Sequence, residues 1–357
     1  MNLYLTADSI GEESGGGKVT LNESKALEEL GPCKVWGRRE LSQKFGLNVE
    51  PWCWDGNAFY ACRKYGVDYQ LVHVYSGTFS RTVAYLKEKG SKVCYTVAAH
   101  DREISRREHE KLGLGFPYPH LTNDDLWQKY VEGYRLADVI VCPGKRPAEI
   151  VRAYGKDFEN KRIEIIPHGC DLPDEATIKP LPERFAVGYM GSCSGADKGV
   201  RYLLEAWKKL NYLDATLLLA GRDSASDWVR QMVGKYGGGS ISLLGWVKDP
   251  ADFYNQISLL VQPSATEGFG LEVLEALSHS RPVICSDQAG AVDCIQHGCG
   301  FSFHVGQSDV LAECIDQYKR NPAMAEGDGP KGREVSAGFT WDKIRARYAD
   351  LWKSLLK

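Results

Sequence analysis

One stretch limits the possible folds more than any other. Residues 257–261, Ile-Ser-Leu-Leu-Val, are apolar apart from one serine, and 282–285, Pro-Val-Ile-Cys, form a second short apolar run. Runs this short and apolar read as strands buried on both faces of a parallel sheet. Between them lie a loop with Glu267, Gly268 and Gly270, and a helical pattern from Leu271 to Ser278. The unit is strand, loop, helix, strand, and its loop leaves the carboxyl end of a strand. In open α/β sheets ligands bind there. The two glycines let backbone approach a ligand closely. The helix that follows aims unpaired N–H groups and its positive dipole end at the same spot, which suits a phosphate. Glu267 and Glu275 would repel a phosphate they faced directly. They are expected to flank it and accept hydrogen bonds from hydroxyls on either side, a layout that fits a diphosphate with a sugar at each end.

In Pro263–Gly290 the two carboxylates stand as Glu267, seven residues, Glu275, framed by Pro-Ser, Glu-Gly-Phe-Gly-Leu, Glu-Ala and Arg-Pro-Val. With these flanks the spacing resembles the E-x7-E signature of retaining glycosyltransferases of family 4. The resemblance implies the GT-B fold, an α/β architecture of two facing Rossmann-like domains whose C-terminal helix crosses back to the first. It also implies transfer of a sugar from a nucleoside diphosphate sugar to an acceptor hydroxyl.

Size and composition agree with two ordinary domains. The 357 residues are too many for one comfortable core, and 43% are hydrophobic and 25% charged. A net charge of −3 argues against a general nucleic-acid binder. Eleven cysteines occur without a C-x-x-C, mostly in apolar segments, and read as free thiols in a reducing cytoplasm. Cys294, His297 and Cys299 form an isolated trio, a weak case for a metal. The first residues read as a strand and not as a signal peptide, and no run of about eighteen apolar residues would span a membrane.

Along the chain, Asn2 to Ala7 is a strand, Gly11 to Lys18 a glycine-rich loop, and Val19 to Leu30 a helix. The loop is not a Walker A motif, because Glu12 stands where its first glycine belongs and Val19 follows the lysine. The resemblance makes Gly15, Gly16 and Gly17 candidates for closing over the donor diphosphate; a flexible turn is the plainer reading. Trp36, Trp52 and Trp54 with Arg38, Arg39 and Lys44 mix aromatic and basic character, fitting a glycan, a membrane surface or simply core packing. Strands follow at Gln70–Tyr75 and Lys92–Ala98, the latter ending at His100, which matches the family histidine near the transferred sugar. Arg102, Arg106, Arg107 and Lys111 share a helix with Glu103, Glu108 and Glu110, and read as a solvated face or an anion-binding one.

Pro167-His168-Gly169-Cys170-Asp171 resembles the family's hinge segment, with histidine where asparagine is common. It sets domains at 1–172 and 173–338, with 339–357 as the returning helix. In the second domain Lys198-Gly199 matches a phosphate-binding lysine and its glycine, but Ser192 stands where the family has an arginine. A lost charge-assisted contact of this kind is worth roughly 1.5–3 kcal/mol. Arg222, at the end of the next strand, is the expected substitute. Gly245-Trp246-Val247 matches the turn that holds the nucleobase. The implied donor site is thus Gly16, Gly17, Ser192, Arg222, Trp246, Val247, Gly268, Phe269, Gly270, Leu271 and Glu275. His100, Glu267 and Lys198 lie nearest the chemistry.

No Asp-x-Asp occurs, which fits an enzyme that needs no metal or other cofactor, with a UDP- or GDP-sugar as co-substrate. Partners would be that donor and a glycan, lipid-linked or small-molecule acceptor. A cytoplasmic enzyme, in peripheral contact with the inner face of a membrane, is expected. Two other classes fit the same scaffold: a phosphorylase or nucleotide-sugar epimerase, and a non-catalytic nucleotide-sugar-binding protein, which the missing arginine favours.

Overall fold

The structure is a computed structural model. It describes residues 1–8, 10–11, 14–37, 40–41, 54–65, 68–98, 101–114 and 123–357. Its strands in chain order are β1 (Asn2–Thr6), β2 (Cys33–Trp36), β3 (Leu71–Tyr75), β4 (Lys92–Thr96), β5 (Val139–Cys142), β6 (Ile163–Ile165), β7 (Ala186–Met190), β8 (Thr216–Ala220), β9 (Ile241–Gly245), β10 (Leu259–Gln262), β11 (Val283–Ser286) and β12 (Gly300–Phe303). The helices are α1 (Gly15–Leu30), α2 (Trp54–Tyr65), α3 (Ser80–Glu88), α4 (Arg102–Leu112), α5 (Asp124–Leu136), α6 (Lys145–Arg152), α7 (Val200–Leu210), α8 (Asp227–Tyr236), α9 (Pro250–Tyr254), α10 (Leu271–Ser278), α11 (Ser308–Arg320), α12 (Pro322–Ala337) and α13 (Trp341–Leu356).

Contacts divide the chain into two units. One comprises Met1–Ala99, Tyr118–His168 and Trp341–Lys357, the other His100–Pro117 and Gly169–Thr340. The first is a parallel sheet in the order β2-β1-β3-β4-β5-β6. Of its inner strands, β1, β3 and β5 are buried along their whole length and β4 is buried apart from Lys92, because helices cover both faces. The last helix, α13, packs on α1 and belongs to this unit. A buried polar network fastens it. Glu23 accepts hydrogen bonds from Tyr4 at 2.7 Å, Tyr348 at 2.6 Å and His73 Nε2 at 3.0 Å. Trp352 Nε1, which can only donate, points at His73 Nδ1 from 3.2 Å, so Nε2 carries the ring proton shared with Glu23.

The second unit is a parallel sheet in the order β12-β11-β10-β7-β8-β9, with its own core around Leu203, Trp207, Leu219, Leu259 and Ile284. The chain starts at β7, runs out through β8 and β9, then returns to lay β10 on the other side of β7. The order therefore reverses between β7 and β10, the position where such sheets bind ligands.

Two segments differ from the sequence reading. Helix α4, expected within a first domain spanning 1–172, groups with the second unit. Its polar residues face inward there: Ser105 donates to Asp197 Oδ2 at 3.2 Å and Tyr202 donates to Glu108 at 2.6 Å. Its Arg106 is paired along the helix with Glu103 and Glu110, so the basic face is a solvated, internally neutralised one. Helix α12 has no counterpart in the sequence reading; it holds three glycines and an interior Pro330. Among the described residues ten cysteines are free thiols, and no helix is long and apolar enough to cross a membrane.

Candidate active site

The β10–α10 loop sits at the reversal point and is tied down from three sides. Ala265 N and Thr266 N donate to Asp197 O at 2.7 and 3.3 Å, Glu267 N donates to Gln288 O at 3.2 Å, and Ala291 N donates to Phe269 O at 2.9 Å. Asp101 N reaches Thr266 Oγ1 at 2.9 Å, so the start of α4 braces the residue before Glu267. Gly270 takes φ 91° as the N-cap of α10 and offers no side-chain cap. The first N–H groups of a helix have no partner within it. With no side chain at the cap to accept from them, those of α10 are turned toward this crevice.

The adjoining β7–α7 loop brings the cation. Gly199 takes φ 68°, and a Cβ there would stand 2.0 Å from Pro263 O, so only glycine lets the two loops close up. This closeness seats Lys198. Its Nζ lies 2.6 Å from Glu267 Oε2, both side chains being mostly buried. On α10, Glu275 accepts a hydrogen bond from Tyr254 at 2.8 Å. Burial, then the Glu275 charge, pushes the Tyr254 phenol well above its usual range, so it stays a donor. A lysine, two carboxylates and a helix N-terminus thus converge at the reversal point, a set able to hold a polyhydroxylated anion.

Residues 184–321 match the family model of glycosyl transferases group 1. The matched stretch runs from just before β7 to the end of α11. The chain is 27% identical over 185 residues to the capsular polysaccharide biosynthesis glycosyltransferase CapM of Staphylococcus aureus, covering 49% of this chain and 48% of that protein. It is 30% identical over 212 residues to the lipopolysaccharide core biosynthesis mannosyltransferase LpcC of Rhizobium leguminosarum bv. viciae, covering 54% and 60%. The chain thus spans about half the length of the curated relatives it matches. Among solved structures, sucrose-phosphate synthase from Thermosynechococcus elongatus superposes with a TM-score of 0.77 at 19% identity, over 99% of this chain and 98% of that one. The fold is GT-B.

Within the matched stretch the structure gathers Lys198, Glu267, Gly268, Phe269, Gly270, Leu271 and Glu275 around one loop. Arg222 and Trp246 end the neighbouring strands β8 and β9. The exposed guanidinium lies over the exposed indole, 4.8 Å from its ring centroid, a pairing the sequence did not suggest. Val247 follows in the same turn. Ser192 is already engaged: its hydroxyl donates to Asp223 Oδ2 at 2.8 Å. Asp223 also accepts from Cys193 N and Ser194 N, each at 2.9 Å, and from the Ser194 hydroxyl. Burial raises the Asp223 carboxyl, but these donors outweigh it and hold the group below its usual range. An internal carboxylate therefore occupies the loop where the family pattern places a phosphate-binding arginine.

In the first unit, Gly16 and Gly17 lie not in a loop but in the first turn of α1, which starts at Gly15. His100, Trp52, Arg38, Arg39 and Lys44 lie outside the described residues. Trp36 is core, 4% exposed. Three groups at the site went unread in the sequence: Asp223, the buried Gln262, and Glu272. The last had a signal, since it stands three residues before Glu275 on the same helix face.

Proposed function

We propose that this chain transfers a sugar from a nucleoside diphosphate sugar to an acceptor hydroxyl, with retention at the anomeric carbon and without a metal or other cofactor. The observation that carries the reading is the Lys198–Glu267 pair at the uncapped N-terminus of α10. In this reading Lys198, Arg222 and the N–H groups of Phe269 to Leu271 stabilise charge on the leaving diphosphate. Glu267 holds hydroxyls of the transferred sugar and Glu275 those of the ribose. Gly268 and Gly270 let the backbone close on the phosphates, with Trp246 and Val247 at the base. His100 is assigned the far edge of the sugar. The leaving diphosphate itself takes the acceptor's proton, so no protein nucleophile is required and positioning is the protein's main task.

The donor is proposed to be a UDP- or GDP-sugar and the acceptor a glycan, a lipid-linked glycan or a small molecule. The roles that the names of the two curated relatives give them, capsular polysaccharide and lipopolysaccharide core synthesis, support an acceptor of this kind. Cytoplasmic action beside a membrane is part of the same reading. Helix α2 supports it, exposing Tyr60 and Tyr65 with Lys64 over both rings at 5.7 and 5.9 Å.

A second reading, a nucleotide-sugar-binding protein without turnover, is favoured by Asp223 filling the Ser192 loop. The two separate in one assay. UDP-, GDP- and ADP-sugars are offered without metal, nucleoside diphosphate release is followed, and Glu267→Ala runs beside the native chain. Release from one donor, abolished in the variant, is expected; binding with no release by any acceptor mixture supports the second reading. The anomeric configuration of the product, read by NMR, tests retention.

A further inference from the structure

Glu272 is the third carboxylate at the N-terminus of α10. It is half-buried, and among the described residues no side-chain donor is hydrogen-bonded to it. The titratable and charged groups around it are Glu267 in the preceding loop, Glu275 one turn on, Lys198, Tyr189 on β7, Tyr254 on α9 and Cys285 on β11. Lys198 is the one cation in that set, and its Nζ is held by Glu267 at 2.6 Å. As an anion, Glu272 would repel the diphosphate that the preceding section brings to this helix end.

A second observation marks the spot as ligand-binding. Gln262, at the end of β10, is 3% exposed, yet its Oε1 has no hydrogen-bond partner. A Cβ on Gly270 would stand 3.2 Å from its Nε2, so the amide lies against the residue that caps α10. A buried acceptor is costly to leave without a donor, and a ligand hydroxyl at this helix end would supply one.

We propose that Glu272 binds the donor diphosphate as the neutral acid, donating its carboxyl proton in a hydrogen bond to a phosphate oxygen. The inference rests on the nucleotide-sugar reading of this site. It also accounts for the absence of an arginine at Ser192: a neutral donor takes part of that cation's work. Burial, then the charges of Glu267 and Glu275, raises the Glu272 carboxyl to about 7, so the acid form is available near neutrality.

The test is titration calorimetry with UDP-glucose, GDP-mannose and ADP-glucose, whose diphosphate diesters do not themselves titrate between pH 6 and 8.5. The donor bound most tightly is carried forward. For the native chain, Kd is expected to weaken by up to about tenfold per pH unit above pH 7, as one proton must be taken up. Repeating the titration at pH 8 in buffers of different ionisation enthalpy should show uptake of about one proton. Glu272→Gln keeps an N–H donor and cannot ionise; its affinity should be flat with pH and its proton uptake nil. A flat native profile, or a slope that survives in Glu272→Gln, overturns the assignment while leaving the site reading intact. Binding of none of the three donors at any pH removes both. The native proton-uptake measurement decides even if the variant does not fold.

Discussion

Two strand–glycine–helix junctions in this chain look alike in sequence and differ in what they leave open. At β1–α1 the chain satisfies itself. Ser14 caps α1 by accepting from Gly17 N at 3.0 Å, and the Asp8 carboxylate lies against the first turn, 3.0 Å from where a Gly16 Cβ would be. At β10–α10 the N-cap is Gly270, which has no side chain to accept anything, and Lys198 is bonded to Glu267 in the loop before it. The first junction has its anion and its cap built in. The second lacks the cap, and anion affinity follows from the N–H groups this leaves open. Glycine richness alone does not separate the two; the residue at the cap does.

The sharpest way to break the contrast is Gly199→Ala. Its Cβ would meet Pro263 O at a positive φ, so the loops carrying Lys198 and Glu267 must part. A loss of ~3 kcal/mol or more is expected in the urea unfolding midpoint, with donor binding lost alongside. Unchanged stability would mean that the close approach is dispensable. Next comes Lys198→Ala. Removing a charge-assisted contact should weaken donor binding by roughly 10- to 150-fold, from about 1.5–3 kcal/mol, with little change in melting temperature. An unaltered Kd would leave the helix end as the whole anion site. The smallest effect is expected of Ser14→Ala, about 1 kcal/mol of stability from the lost cap and no change in donor affinity. Weaker donor binding in that variant would show that the first junction also serves the diphosphate and would erase the distinction.

Most of the second unit was legible because its signals are local. The apolar runs at β10 and β11 are buried parallel strands, and such runs announce themselves without knowledge of their neighbours. Glu267, Gly268, Gly270 and Glu275 were found by spacing, and Lys198 by its glycine. Asp223 was not, because nothing in Gly-Arg-Asp says that the aspartate will turn back to collect the amides of a loop about thirty residues earlier. Arg222 was read as a free phosphate cation, whereas its place over Trp246 depends on β8 and β9 lying side by side.

By itself the sequence determined the strand–loop–helix unit at 257–285, the parallel α/β class and the carboxylate spacing, since each depends on residues within a turn or two of one another. Tertiary structure alone decided the rest. Helix α12 carries Gly327, Gly329, Gly332 and Pro330, a composition that disfavours a helix in isolation. It forms because α10 lies directly against it. A Cβ at Gly329 would stand 2.4 Å from Ser280 O, and one at Gly332 would stand 2.6 Å from Leu277 Cδ2. The residues that weaken the helix locally are the ones that let it approach, and that compensation exists only once both helices are in place.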